Sequence, residues 1–156
     1  MCIRDSNGTC QGVVPNLTAS ATATDNCDNI VTITQSPAAG TLVGLGAQSI
    51  TLTATDDCNN VNSTCVVNFN VVDNANPVCN AQNVTVNIDA SGNATVTAAQ
   101  IDNGSTDNCG ITSTTITAGQ TAYTCADVGS TFNVTLQVQD AAGNSSTCSA
   151  VVTAVS

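Results

Sequence analysis

The tetrapeptide Thr-Asp-Asn-Cys occurs at residues 24–27 and again at residues 106–109. Aligning the two copies brings distant features into register: Asp25 with Asp107, Gly46 with Gly129, and Cys65 with Cys148. Between these anchors, residues 48–56 (QSITLTATD) match 132–140 (FNVTLQVQD), and residues 63–72 (STCVVNFNVV) match 146–155 (STCSAVVTAV). Self-similarity at a period of about 83 residues means tandem units of one design. Any fold for this chain must therefore close within about 80 residues and be written twice.

Within each unit the hydrophobic pattern has the period of a strand. Residues 83–89 (NVTVNID), 93–98 (NATVTA), 111–117 (ITSTTIT) and 131–139 (TFNVTLQVQ) alternate apolar with polar side chains. They are rich in β-branched residues and are separated by Gly, Asn and Asp clusters. No stretch of helical period exceeds two turns. Alternation with one solvated face predicts an antiparallel Greek-key sandwich in each unit.

Composition then removes whole classes of function. The formal charge is −10 over 156 residues, every acid is Asp, and Arg4 is the single base. Without a basic patch the chain cannot neutralise phosphates, which excludes nucleic acid as a partner and argues against anionic membrane. His, Lys and Glu are absent. That removes Ser-His-Asp and Cys-His nucleophile pairs and Schiff-base chemistry. No Cys-x-x-Cys occurs, so a thiolate zinc site has no motif. Asp56 and Asp57 are the one adjacent carboxylate pair. Neighbouring strand positions face opposite ways, so a turn role is favoured over a hydrolase pair. The chain is read as a non-enzyme.

Nine cysteines with 2% aromatic residues and no Trp suggest an oxidising compartment. A core of Val, Ile, Leu and Ala in so small a unit needs staples. The opening MCIRDSNGT lacks the apolar stretch of a signal peptide, and no run is long enough to insert in a membrane. Residues 1–6 resemble translated adapter sequence, and residues 1–9 are expected to form a leader outside the repeats. Nothing strand-like precedes Cys10, whereas unit two has residues 83–89 ahead of its TDNC. The first unit is therefore expected to be truncated at its N-terminus, without an opening strand.

The order ATDNC, PAAG with a second glycine (Gly46), ITLTATDDCNN, STC and VVDNANP resembles the hyalin repeat (HYR) domain, an immunoglobulin-like extracellular module. The second unit, from PVCNAQNVTV through STDNCGI and YTCADVG to VTLQVQDAAGNSSTCSAVVTAV, resembles the variant found in large bacterial surface proteins. The resemblance implies tandem immunoglobulin-like sandwiches: residues 10–73 as a partial first repeat, 74–77 as linker and 78–156 as the second. It also implies a secreted or surface-anchored spacer or adhesive stalk whose partners are neighbouring repeats of the same polypeptide. The alternative from another class is an adhesion module whose polar loops bind carbohydrate or protein. Against it, Tyr123 is the one Tyr and Trp is absent, and these residues anchor such contacts.

In that fold the first and last strands run side by side, which implies a Cys79–Cys148 disulfide and leaves Cys109 with Cys125. Cys58 in unit one stands where unit two has Ala142, implying Cys27–Cys58 across two polar loops. Cys10 and Cys65 either pair or have each lost a partner upstream. The same fold gathers Asp25, Asp28, Asp56 and Asp57 at one pole of unit one. At the matching pole of unit two it gathers Asp102, Asp107, Asp140 and Asn144, with Asp73 entering from the linker. Flexible loops of hard oxygen ligands suit calcium, so Asp73, Asp102, Asp107, Asp140 and Asn144 are candidate ligands; no other cofactor is implied. The competing reading is that these residues form turns. Eight Asn-x-Ser/Thr sequons begin at Asn7, Asn16, Asn62, Asn83, Asn93, Asn103, Asn133 and Asn144. That is only a slight excess over chance in so Asn- and Thr-rich a chain.

Overall fold

The computed structural model describes residues 2–26 and 30–156, with the side chains of all of these except Cys2 and Ile3. The chain divides into two compact units, Met1–Asp73 and Asn74–Ser156. Residues 74–77 fall within the second.

Unit two shows most plainly why the alternating segments fold as they do. Its strands are β7 (Val84–Asn87), β8 (Asn93–Thr95), β9 (Ile111–Ala118), β10 (Ala122–Thr124), β11 (Thr131–Asp140) and β12 (Ser145–Val155), with a one-turn helix α1 (Ala98–Ile101) after β8. One sheet has the order β7-β12-β11-β9 and the other pairs β10 with β8. The first strand lies parallel to the last, and the remaining pairs are antiparallel. This is the strand order of an immunoglobulin-like Greek-key sandwich. Val134, Leu136 and Val138 of β11 and Ala150, Val152 and Ala154 of β12 point inward at every second position. Val86, Val96, Ile101 and Tyr123 complete that core.

Unit one repeats the plan. It contains β1 (Cys2–Asp5), β2 (Gly12–Val13), β3 (Thr32–Ser36), β4 (Leu42–Val43), β5 (Gly46–Thr55) and β6 (Val61–Val72). The four-stranded sheet has the order β1-β6-β5-β3, and β2 pairs with β4. Among the described residues its core is smaller: Val14, Ile50, Leu52, Phe69 and Val71.

The expectation that residues 1–9 lie outside the repeat, and that unit one has no opening strand, is corrected. β1 runs parallel to β6, from Cys2 opposite Phe69 to Asp5 opposite Val72. It occupies the place β7 holds beside β12, and the next residue continues the ladder in each unit. Ser6 N–H donates to Val72 O at 2.8 Å, as Ile88 N–H donates to Val155 O at 2.8 Å. Four residues are too few to display alternation, and a parallel partner more than sixty residues away leaves no local signal.

Candidate functional site

The loops that carry the Asp residues are built by the hairpins around them. In unit two β11 ends at Asp140, opposite Ile111 at the start of β9. The chain then turns back to β12 in a tight connection. Asp140 is 3% exposed and holds that turn: its Oδ1 accepts from Gly143 N–H at 2.7 Å and Asn144 N–H at 2.8 Å. Its Oδ2 accepts from Asn144 Nδ2 at 2.7 Å. Burial alone would raise the Asp140 pKa. The hydrogen bonds from the Asn144 side chain and backbone and from Gly143 outweigh it and hold the carboxyl below its usual value.

Unit one makes the same clamp. Asp56 Oδ1 accepts from Asn60 N–H and its Oδ2 from Asn60 Nδ2, both at 2.7 Å. The Asn60 bonds pull the Asp56 pKa down. In each loop the residue before the Asn has positive φ, Asn59 at 66° and Gly143 at 98°. Asn and Gly are the residues that tolerate that conformation. The shared signature, Asp-x-x-x-Asn with Asn or Gly at the fourth place, was present in DDCNN and DAAGN. A sequence reading that weighs carboxylates singly misses it.

The remaining predicted ligands are placed as follows. Asp102 ends α1, and its Oδ1 accepts from the Ser105 hydroxyl at 2.5 Å and the Ser105 N–H at 3.2 Å. Asp107 Oδ2 accepts from Cys109 N–H at 2.7 Å, while its Oδ1 is buried with no hydrogen-bond partner among the described residues. Asp73 belongs to unit one, where it is buried and its Oδ1 accepts from the Ser6 hydroxyl at 3.0 Å. Among the described residues, neither Asp102 nor Asp140 joins a group of three metal-ligating side chains with ligand atoms within 4.8 Å of one another. In unit one, Asp25 and Asp56 line one cleft of about 230 Å³, and Asp57 is exposed beside it. Asp28 lies outside the described residues.

The thiols divide differently from the sequence expectation. Cys79 and Cys148 are bonded. Cys10 and Cys109 are also in disulfides. Cys58, Cys65 and Cys125 are free and exposed. Three expected pairings are thereby corrected. Cys109–Cys125 fails because Cys125 is a free thiol in the short 3-10 turn Cys125–Asp127, its Sγ 3.9 Å from Gly92 O. Cys27–Cys58 fails because Cys58 is a free thiol in the β5–β6 loop, and Cys27 lies outside the described residues. Cys10–Cys65 fails because Cys65 is free although Cys10 is bonded. A hydrogen bond to Asp57, and then the Asp56 charge, raise the Cys58 pKa, so this thiol is a poor nucleophile.

Several sequons serve the backbone. Asn7, Asn16 and Asn62 each accept from the hydroxyl of the Thr two residues on, at 2.8 Å. Asn-x-Thr is thus a local turn device here, which accounts for part of its frequency.

No family model matches the chain, and no curated protein matches it. Among solved structures it is similar to a protocadherin gammaB7 EC3-6 cis-dimer, at 18% identity with a TM-score of 0.41 over 80% of this chain. The chain spans 41% of that protein's length. It is also similar to human protocadherin-24 EC1-2, at 12% identity with a TM-score of 0.43, over 99% of this chain and 93% of that one. Among the described residues, no helix is long and apolar enough to cross a membrane.

Proposed function

We propose that the chain is a non-enzymatic, extracellular segment of a larger surface polypeptide, its immunoglobulin-like units acting as spacer or adhesive stalk. One observation carries the reading: both units repeat a single strand order and a single Asp-Asn clamp, so the polar loops are tied to their own backbone. Paired carboxylates poised for hydrolysis would need free oxygens facing a cleft. Asp56 instead directs both oxygens to Asn60. The ligand-binding alternative loses its anchor, because Tyr123 is 1% exposed and packs on Phe132 in the core, with its hydroxyl donating to Gln120 O. A parent polypeptide from which residues 74–156 are deleted should keep its attachment specificity and lose only reach. Loss of specific attachment in a cell- or surface-binding assay would favour the binding module.

Calcium is a second reading, favoured by one atom. Asp107 Oδ1 is buried without a hydrogen-bond partner among the described residues, although Oδ2 is engaged. A carboxylate oxygen removed from water is destabilising unless something positive meets it. Calcium takes oxygen ligands in flexible loops, and magnesium demands a tighter octahedron. Calcium at a hundredfold excess over its dissociation constant should stabilise unit two by about 2.7 kcal/mol, with magnesium much less effective. Asp107→Asn should abolish the response in thermal melts with calcium and with chelator. A melting temperature indifferent to calcium would leave Asp107 as a turn former.

A further inference from the structure

In unit two, residues 78–82 lie as an extended leader against residues 101–106. Val78 N–H donates to Thr106 O at 2.7 Å, and Thr106 N–H returns to Val78 O at 3.0 Å. Gln82 N–H donates to Ile101 O at 2.8 Å. Between these flanks Asn80 grips the tip of the facing loop. Its carbonyl accepts from Asn103 N–H at 3.1 Å and from the Ser105 hydroxyl at 3.2 Å. Its Nδ2 donates to Gly104 O at 3.3 Å, and its backbone N–H donates to Ser105 Oγ at 3.0 Å. The clamp therefore depends on the length of backbone between Asn103 and Ser105.

That tip is Asn103-Gly104, one of two Asn-Gly dipeptides in the chain; the other is Asn7-Gly8. Asn-Gly is the pair most open to ring closure, because glycine has no Cβ to hinder the approach of its nitrogen to the Asn side chain. The fold holds the two pairs differently. Asn7 Oδ1 accepts from Thr9 N–H at 2.9 Å, the Thr9 hydroxyl at 2.8 Å and Gln11 N–H at 2.9 Å. Its backbone is pinned too: Asn7 N–H donates to Gln11 O at 2.7 Å, and Asn7 O accepts from Cys10 N–H at 3.1 Å. Asn103 is exposed, and among the described residues neither its side-chain amide nor Gly104 N–H has a hydrogen-bond partner. A Cβ built on Gly104 would meet nothing within 4 Å. At this tip, amide carbon and backbone nitrogen both face solvent and are unheld.

We propose that Asn103-Gly104 is a self-modification site, at which conversion to isoaspartate opens the Asn80 clamp on the leader. Gly104 N attacks Asn103 Cγ, and the new C–N bond closes a succinimide ring. The Cγ–Nδ2 bond breaks, and ammonia leaves with the proton from Gly104 N–H. Holding nucleophile and electrophile in adjacent residues makes the step intramolecular, which supplies its rate. Water then opens the ring at either carbonyl. Opening at Cγ restores the original main chain and leaves a carboxylate on the side chain. Opening at the α-carbonyl routes the main chain through Cγ, lengthens it by one methylene and leaves the α-carboxylate as the branch. The lengthened tip cannot keep residue 103 N–H on Asn80 O and Gly104 O on Asn80 Nδ2 together. The leader is then tied down chiefly by Cys79–Cys148. The site is independent of whether the segment is a spacer or an adhesin.

The test is incubation of the full, disulfide-bonded chain in neutral buffer for several weeks, then reduction, cleavage on the N-terminal side of Asp, and mass spectrometry. Fragments 102–106 and 5–24 each carry one Asn-Gly. In the folded chain Asn103 should convert about tenfold faster than Asn7, whose hydrogen bonds must first be broken. In the reduced chain in urea the two should convert at equal rates, because the difference lies in the fold. In the isolated isoaspartyl form, hydrogen exchange at Val78 and Thr106 should be about tenfold faster than in the parent. Asn103→Gln should stop conversion in fragment 102–106. Asn103→Asp, which adds the charge without lengthening the chain, should exchange at the parent's rate. Conversion of Asn7 as fast as Asn103 in the folded chain, a preference for Asn103 that persists in urea, or unchanged exchange at Val78 and Thr106 would each overturn the proposal. So would an Asn103→Asp variant that exchanges as fast as the isoaspartyl form, because charge and not chain length would then open the clamp.

Discussion

Replacing Cys79 and Cys148 together by Ser is expected to destabilise unit two by about 4 kcal/mol. The bridge closes a sequence separation of 69 residues, nearly the whole unit, and the loss of chain entropy in the unfolded state grows with the loop enclosed. For a domain of this size the loss amounts to a fall in melting temperature of about 20 °C. The structural consequence points the same way. The leader 78–82 is held by the bridge and by a few main-chain bonds, and without the bridge its Cys79 and Ala81 are free to leave the core face. Cys125→Ser is the control: that thiol is exposed and free, so its removal should change stability by no more than about 0.5 kcal/mol. Among the described residues unit one has five buried core side chains against ten in unit two, and Cys65 is unpaired. It should therefore melt first in the parent, and the bridge-less variant should bring the second transition down toward it. If calorimetry placed the upper transition of the double variant within a few degrees of the parent, the bridge would be a bystander to stability.

How far such features can be read from sequence depends on the distance over which they are encoded. Residues 131–139 announce β11 because each inward Val or Leu alternates with an outward polar residue, and the structure places a strand over Thr131–Asp140. Residues 146–155 do the same for β12. β1 was illegible because its evidence is its partner, β6, and not its own four residues. The thiols failed for a related reason. Spacing can state which cysteines recur, yet Cys125 is turned toward Gly92 by a 3-10 turn that follows from Thr124 and Asp127 capping each other's ends, a detail below the resolution of a pattern. The carboxylates were legible as loop residues and not as clamps. Taken singly, Asp140 and Asp56 suggest ligands or acids, whereas their partners, Asn144 and Asn60, lie four residues on. The repeat encodes the clamp twice, in the two hairpin loops 56–60 and 140–144.

The largest effect expected of a single methyl group is at Gly119. This residue follows β9 with φ at +100°, and a Cβ placed there would lie 2.4 Å from Asn133 O and 2.7 Å from Val134 Cα. Both are backbone atoms of β11, which is hydrogen-bonded to β12 on one side and β9 on the other, so neither can recede. The methyl group must instead push the β9–β10 turn away. That turn contains the Gln120 carbonyl, which accepts from the hydroxyl of Tyr123, a side chain 1% exposed. Displacing it would leave a buried hydroxyl without its acceptor, a loss of about 1–3 kcal/mol by itself. Added to the left-handed backbone penalty of about 1–2 kcal/mol, Gly119→Ala should destabilise unit two by about 3 kcal/mol or more. Gly129 separates the two contributions. Its φ is +83°, but a Cβ there meets nothing within 4 Å. Gly129→Ala should therefore show only the backbone penalty, and the gap between the two variants in urea unfolding measures the close approach. Equal losses would mean that the turn slides over β11 at no cost and that Tyr123 finds its hydrogen bond elsewhere.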